Sequence, residues 1–277
     1  MPAPTSVTRN GHRTFLKWHR ARRRAADPVF TGRRIVEGMR AGASVEVDLV
    51  VHADAGFAVL HEPALGIETT GSGLVRHTPA AVLRTLRLRD NAGTPTGEPV
   101  MLLEDLAALI AREGAHPDAL LQLDYKEDAD ALPPAALATF ARALGPVARH
   151  FILSSGDAAA VRLLSADVPG LRIGHDPCHE GAIARVTATR AWPAFVAGAV
   201  AASPAAELVY VDHALVLAAA ADGFDLVAAF HRAGRRVDAY TIRRADPDGL
   251  AAACRLLDLR VDQITTDDPE GLAAALR

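Results

Sequence analysis

The chain has 277 residues, of which 50% are hydrophobic, 23% charged and 5% aromatic, and this length allows one large domain such as an α/β barrel. The formal net charge of -3 gives no overall electrostatic attraction for nucleic acid. The two cysteines, Cys178 and Cys254, are too far apart in the chain to indicate a disulfide framework.

Short apolar runs alternate with Ala- and Leu-rich helical stretches, which is typical of a parallel α/β fold. The predicted strands are Thr14–Trp18, Ser44–Val51, Ala58–His61, Leu120–Asp124, Phe151–Ser154, Leu171–Gly174, Leu208–Asp212, Arg236–Thr241 and Gln263–Thr266. The predicted helices include Thr31–Ala41, Leu102–Arg112, Pro134–Leu144, Asp157–Ala166, Leu226–Ala233 and Pro247–Leu257. We therefore predict a single TIM (β/α)8 barrel domain over residues 1–277.

The alternation fails after the second predicted strand. Between Val51 and Ala58 there is room only for a tight turn, so one helix is missing there. The segment 66–99 is rich in glycine and proline. We expect it to be a small loop-rich insertion after the third strand, lying over one end of the barrel.

No segment indicates a membrane span. The most apolar stretch, Val209–Ala221, contains Asp212 and His213 and is shorter than the roughly 18 to 20 apolar residues that a spanning helix needs. Met1 to Trp18 lacks the apolar region of a signal peptide. We expect a soluble, cytoplasmic protein without integral membrane contact, while an export signal in a longer precursor stays open.

Two carboxylates belong to the second predicted strand. Glu46 and Asp48 are two residues apart, so they project to the same side. That side could face solvent, but Ala43 to Val51 is otherwise almost continuously apolar, as in strands buried on both faces. A buried pair of like charges needs neutralisation, and a divalent cation provides it.

The next two strands also end in polar residues. His61 ends the third predicted strand, and Asp124 with Lys126 ends the fourth. Taken singly, these are compatible with a structural histidine and a surface ion pair. In a barrel, however, the carboxyl ends of the strands meet at the face that carries the active site. Gathered there, such groups indicate metal-assisted phosphoryl chemistry.

A set of motifs in chain order resembles the glycerophosphodiester phosphodiesterase family. The family hallmark is H-R-G, then P-E-N-T, then G-A-x-x-x-E-x-D-V, and an apolar run that ends in H-D. The matching segments are His19-Arg20-Ala21, Pro28-Val29-Phe30-Thr31, Gly42 to Leu49, His61-Glu62, Thr69 to Gly73, Glu98 to Glu104, Asp124-Tyr125-Lys126, Val237 to Ile242 and Val261 to Pro269. The resemblance spans residues 19 to 269.

The resemblance implies a phosphoric diester hydrolase that converts a glycerophosphodiester, a small-molecule substrate, to an alcohol and glycerol phosphate. It implies one divalent cation, Mg²⁺ or Ca²⁺, bound by Glu46, Asp48 and Asp124. Hard cations of this kind prefer oxygen ligands. The sequence indicates no oligomeric state.

The resemblance also implies the roles of four residues around the phosphodiester. His19 and His61 would form the acid/base pair, one taking a proton from the attacking oxygen and the other giving one to the departing alkoxide. Arg20 and Lys126 would bind the phosphate and offset its growing charge.

Several positions depart from the family pattern. They are Ala21 for the glycine after H-R, Val29 and Phe30 within P-E-N-T, Asp124 for a glutamate, Glu62 for an aspartate, Ile67 for an arginine and Tyr240 for a tryptophan. These changes keep two alternatives open. One is a lysophospholipase D- or sphingomyelinase D-like phosphodiesterase, and the other is a catalytically silent barrel that binds a phosphate ester.

Three further segments have more than one interpretation. The segment His175 to Glu180 is compatible with a second metal site, a local turn or a substrate contact. Asp212 and His213 are compatible with the pocket wall or with a helix cap. Asp157 is interpreted as a helix N-cap.

Overall fold

The computed structural model describes residues 5–277, whose strands form one ten-stranded sheet and one separate hairpin. The strands are β1 (Ser6–Arg9), β2 (His12–Trp18), β3 (Ser44–Val51), β4 (Phe57–Val59), β5 (Arg87–Arg89), β6 (Pro95–Pro99), β7 (Leu120–Tyr125), β8 (Phe151–Ser155), β9 (Arg172–His175), β10 (Leu208–Asp212), β11 (Arg236–Ile242) and β12 (Gln263–Thr266). The helices are α1 (Gly32–Ala41), α2 (Leu65–Glu68), α3 (Ala80–Leu83), α4 (Leu103–Glu113), α5 (Pro134–Leu144), α6 (Ala158–Ser165), α7 (Ala182–Thr189), α8 (Trp192–Ala202), α9 (His213–Ala221), α10 (Leu226–Arg232), α11 (Pro247–Asp258) and α12 (Pro269–Ala275).

Eight of these strands run parallel and close into a barrel. Their order is β2, β3, β7, β8, β9, β10, β11 and β12, with β12 pairing back onto β2. Every residue of β3 is buried, because one of its faces lines the barrel interior and the other lies under helices. The predicted TIM (β/α)8 fold is confirmed.

The third predicted strand is not part of the parallel barrel. It forms β4, which pairs antiparallel with the carboxyl half of β3. The five residues between the two strands are too few for the crossover that a parallel connection requires. At the other end of the barrel, β1 adds an unpredicted antiparallel edge to β2.

The insertion lies between β4 and α4, and it holds more regular structure than the predicted loops. It contains α2, α3 and the antiparallel hairpin of β5 and β6. The carboxylate of Glu68 at the end of α2 accepts hydrogen bonds from the backbone N–H groups of His61 and Glu62, at 2.9 and 3.0 Å. The insertion therefore fixes the backbone that carries His61.

Aromatic and aliphatic side chains fill the space between the barrel and its helices. The rings of Phe57 and Phe140 are both fully buried and meet edge to face, with centroids 5.4 Å apart. Trp18 at the end of β2 is also fully buried. Dense packing of this kind holds the strand ends, and thus the polar residues they carry, in fixed positions.

Within residues 5–277, no single helix is both long and apolar enough to cross a membrane, although the bent pair of α9 and α10 reaches that length and hydropathy together. The assignment of residues 1–277 to one domain stays a prediction, and Met1–Pro4 lie outside the described residues.

Candidate active site

Three carboxylates converge at the carboxyl end of the barrel. Glu46 and Asp48 on β3 and Asp124 on β7 are buried, and each offers an oxygen within 4.8 Å of the other two. They meet because Asp48 and Asp124 are direct partners in the parallel ladder of the two strands. The part of the chain that the structure describes holds no second cluster of this kind.

The donor chemistry of this cluster fits a hard divalent cation. Asp48 is only 1% exposed, and the contacts of its two oxygens are ion pairs with basic side chains and not well-aligned hydrogen bonds. Burial and the neighbouring charge of Asp48 raise the pKa of Glu46 well above its usual range. Buried carboxylates are costly when unpaired, and three oxygen ligands match the coordination that Mg²⁺ and Ca²⁺ prefer.

Two positively charged side chains, those of Lys126 and Arg20, contact the acid cluster. The Lys126 Nζ lies 2.5 Å from Asp124 Oδ2 and 2.9 Å from Asp48 Oδ1, and the Arg20 Nε lies 3.4 Å from Asp48 Oδ2. Burial alone would raise the pKa of Asp48, but Lys126 and Arg20 outweigh it and lower this pKa to about 2. The backbone N–H of Arg20 also donates to Glu46 Oε2 at 2.7 Å.

His19 follows β2 and is held by a carboxylate from the other end of the chain. Its Nδ1 lies 2.5 Å from Asp267 Oδ1, and the same oxygen accepts from Arg22. Burial lowers the pKa of His19, partly opposed by the hydrogen bond to Asp267. With Nδ1 bound in this way, a neutral His19 presents its Nε2 as a proton acceptor. No role for Asp267 was predicted from the sequence.

His61 is held in a similar way by the carboxylate of the next residue. Its Nδ1 lies 2.9 Å from Glu62 Oε1, so Nε2 is again the nitrogen that remains for a ligand. A single cavity of about 340 Å³ is lined by the two histidines, the two phosphate-binding candidates and two of the acids, namely His19, Arg20, Glu46, His61, Asp124 and Lys126. Asp48 lies beside them in the acid cluster.

The turn after β2 has left-handed backbone at two residues. Arg20 has φ 52° and Ala21 has φ 58°, a region that favours glycine. Phe30, which replaces the asparagine of P-E-N-T, has φ 57°, and its N–H donates to Arg20 O at 2.9 Å. The family glycine and asparagine suit this backbone, and here Ala21 and Phe30 adopt it while fully buried.

The segment after β9 forms a turn in which the carboxylate of Asp176 is bonded to neighbouring groups. Asp176 Oδ1 accepts from Cys178 N at 2.8 Å and from the Tyr240 hydroxyl at 3.1 Å, and Oδ2 lies 3.1 Å from His179 Nε2. All four side chains line the cavity, as a substrate contact requires, and among the described residues they form no group of three metal-ligating atoms. Asp212 also lines the cavity and caps α9 by accepting from the backbone N–H of residue 214 at 2.8 Å.

An α/β barrel that gathers acids, histidines and basic side chains at its carboxyl face is typical of enzymes that hydrolyse phosphate esters with a metal ion. Residues 35–271 match the sequence profile described as the Glycerophosphoryl diester phosphodiesterase family, so the chain belongs to that family. It is a phosphoric diester hydrolase, as the resemblance implied.

Solved structures of this kind share the fold. A Silicibacter pomeroyi DSS-3 protein assigned as a glycerophosphoryl diester phosphodiesterase is 21% identical with a TM-score of 0.72, covering 95% of this chain and 92% of its own. A glycerophosphodiester phosphodiesterase of Agrobacterium tumefaciens is 20% identical, with a TM-score of 0.65 and coverage of 94% and 99%. An Oleispira antarctica phosphodiesterase, solved with the product sn-glycerol-3-phosphate, is 19% identical, with a TM-score of 0.65 and coverage of 94% and 96%. No curated protein sequence matches the chain significantly.

Proposed function

We propose that this enzyme hydrolyses a glycerophosphodiester to an alcohol and glycerol phosphate, with one divalent cation bound by Glu46, Asp48 and Asp124. The observation that carries the proposal is the convergence of these three buried carboxylates beside a cavity lined by His19 and His61. The Oleispira antarctica phosphodiesterase, which binds sn-glycerol-3-phosphate as its product, supports this class of product.

A cation of the Mg²⁺ or Ca²⁺ type at this cluster would supply Lewis-acid stabilisation of the charge that develops on the phosphoryl oxygens. Arg20 and Lys126 would add two positive charges from the cavity wall. Both side chains are held near the acids by ion pairs, so little reorganisation is needed when the anionic substrate enters.

The two histidines would divide the proton transfers. Because burial favours its neutral form, His19 would act as the base, taking the proton of the attacking hydroxyl at Nε2. The attacker is water, whose oxygen forms the new bond to phosphorus, or the adjacent hydroxyl of the glycerol group. The hydroxyl would give a cyclic phosphate first, and water would then open this ring to glycerol phosphate. As the bond to the departing alkoxide breaks, His61 would give that oxygen a proton.

Turnover of glycerophosphodiesters with choline, ethanolamine, glycerol and inositol head groups tests this proposal. We expect at least one to be cleaved, with activity lost in EDTA and restored by Mg²⁺ or Ca²⁺. His61→Ala should lower kcat by about 10²- to 10⁴-fold, whereas the exposed His77 of the insertion provides a control, His77→Ala. Turnover that survives EDTA, or an active His61→Ala enzyme, would contradict the proposal.

A lysophospholipase D-like activity has one observation in its favour. Three of the four exposed large apolar side chains among residues 5–277 belong to the insertion that holds His61, namely Ile67, Leu74 and Val82. They offer contacts to the acyl chain of a lysolipid. Preference for micellar lysolipid over soluble glycerophosphodiesters, reduced selectively by Ile67→Ser, would establish this alternative, and equal effects of Ile67→Ser on both substrates would exclude it.

The catalytically silent barrel is not favoured, because the chain belongs to a family of hydrolases.

We also propose a cytoplasmic location, supported by Cys178 and Cys254, which are both unpaired thiols. Fractionation of the native cells tests it, and recovery of the protein outside the cytoplasmic fraction would contradict it.

A further inference from the structure

The barrel interior below the acid cluster is polar where such barrels are usually filled by branched apolar side chains. Five inward-facing residues from five strands are at most 5% exposed, namely Lys17, Gln122, Ser154, Asp238 and Thr265. Burying a polar group destabilises the fold unless the group is hydrogen-bonded or ion-paired, so we expect these side chains to be bonded to one another.

Their contacts form a continuous chain that ends at a proposed metal ligand. Lys17 pairs with Asp238 at 2.9 Å and also donates to Gln122 Oε1. Gln122 Nε2 donates to Ser154 Oγ at 2.8 Å. The Ser154 hydroxyl in turn donates to Asp124 Oδ1 at 2.6 Å.

The chemistry of the donors fixes the direction of this chain. The ammonium of Lys17 can only donate, so the amide oxygen of Gln122 accepts and its nitrogen is left to donate. The Ser154 oxygen then accepts one hydrogen bond from Gln122, and its single proton points at Asp124. Successive bonds of this kind strengthen one another, because each polarises the next.

The result is a carboxylate with one oxygen held from the barrel interior and the other directed toward the acid cluster, where it pairs with Lys126. Asp124 Oδ1 is held by Ser154, and Oδ2 faces Lys126 on the side of the acid cluster. Asp124 is one methylene shorter than the glutamate of the family pattern, so its reach toward a cation depends on the direction of its carboxylate. Ser154 sets that direction from the neighbouring strand, where it is the direct ladder partner of Asp124.

We propose that Ser154 is the positioning residue of the metal site, which orients Asp124 for cation binding, and that Gln122 and Lys17 orient Ser154. The inference rests on the proposed function, because it takes Asp124 as a cation ligand. Hydrogen-bond partners of metal ligands commonly change cation affinity or activity by about 10- to 100-fold when removed.

Titration of Mn²⁺ into the purified, metal-free protein by calorimetry tests the proposal. Ser154→Ala should raise the Kd for Mn²⁺ by about 10- to 100-fold. Gln122→Met, which leaves the Ser154 hydroxyl in place but unsupported, should raise it less. Ser155→Ala is the matched control, because the Ser155 hydroxyl accepts from Asp157 N at 3.1 Å and does not contact Asp124.

Rescue by excess cation separates positioning from loss of structure. If Ser154 acts through cation binding, turnover of Ser154→Ala should return toward the wild-type kcat at saturating Mn²⁺. A packing defect would not be repaired in this way. Should Ser154→Ala fail to fold, as judged by circular dichroism, Gln122→Met carries the test alone, with a weakened Mn²⁺ affinity expected and an unchanged one overturning the inference.

Two outcomes distinguish the failure of this inference from the failure of the proposed function. If the wild type binds one Mn²⁺ and Asp48→Asn does not, while Ser154→Ala binds as tightly as the wild type, the positioning role is wrong and the metal site stands. If the wild type and Asp48→Asn bind Mn²⁺ alike, the acid cluster is not the metal site, and both proposals fall.

Discussion

Replacing Asp267 by alanine tests whether His19 is the catalytic base. Asp267 Oδ1 is the partner of His19 Nδ1 at 2.5 Å, and it joins the ring to Arg22. Without it, the proton of the neutral ring is free to move from Nδ1 to Nε2, where it would block the nitrogen that faces the cavity. The imidazole would also lose its fixed orientation.

The expected loss follows from the role of the hydrogen bond. General base catalysis contributes about 10²- to 10⁴-fold, and an equivalent loss in kcat raises the barrier by about 3 to 5 kcal/mol. Since no contact of Asp267 with the substrate is proposed, KM should change little. Asp267 partly offsets the effect of burial on the pKa of His19, so its removal lowers that pKa further and moves the acidic limb of the pH–rate profile to lower pH.

The assay is steady-state turnover of a soluble glycerophosphodiester at saturating cation, measured from pH 4 to pH 9. Asp268→Ala is the control, because Asp268 caps α12 by accepting from Gly271 N at 2.9 Å. That variant should lose about 0.5 to 2 kcal/mol of stability and keep its kcat. If Asp267→Ala retained most of its kcat with an unshifted pH profile, His19 would not be a base held by Asp267.

Three further predictions concern pH, charge and packing. Because burial lowers the pKa of His19, wild-type activity should fall on acidification only below the ordinary histidine pKa of about 6.5, and a midpoint above that value in the pH–rate profile would contradict the assignment. Lys126→Met should reduce kcat/KM by about 10²- to 10³-fold. It should not weaken Mn²⁺ binding, because the positive charge of Lys126 repels a cation at the acids. Weaker Mn²⁺ binding of this variant in calorimetry would contradict this reasoning. Phe140→Ala should cost about 3 to 5 kcal/mol in urea unfolding while the folded fraction keeps its kcat, and a loss below 1 kcal/mol would show that the cavity beside Phe57 collapses.

The barrel itself could be predicted because local patterns determine it. Each of the eight barrel strands begins and ends within two residues of a predicted strand. The strand predicted after Val51 follows a tight turn, and its direction was not predicted from the sequence. It forms antiparallel β4. Strand propensity reflects side-chain burial and packing and does not indicate the direction of a strand.

The strand-end residues of the candidate site could be proposed from the sequence because parallel strands bring their carboxyl ends together. Their partners could not. Asp267 contacts His19 across 248 residues of chain, and Glu68 holds the His61 backbone from within a segment predicted as loop. Neither pairing has a local signal, because it depends on how the barrel closes and how the insertion folds back. Asp267 lay within a motif matched to the family, and that was the one available indication.

The interior of this barrel is polar where an apolar interior is usual, and the sequence did not predict this. Lys17 and Gln122 occupy inward positions of two strands that otherwise appear ordinary. The alternation of side chains along a predicted strand shows which residues share a face. It does not show which polar side chains contact one another inside the barrel. Only closure of the barrel places Lys17 against Gln122, whose strand carries Asp124.

Anomalous scattering from crystals grown with Mn²⁺ would locate the cation in the barrel. We expect one strong peak within bonding distance of carboxylate oxygens of Glu46, Asp48 and Asp124, with both histidines lining the same cavity. A peak at another site, or three acids that turn away from one another when Mn²⁺ is present at saturating concentration, would contradict it.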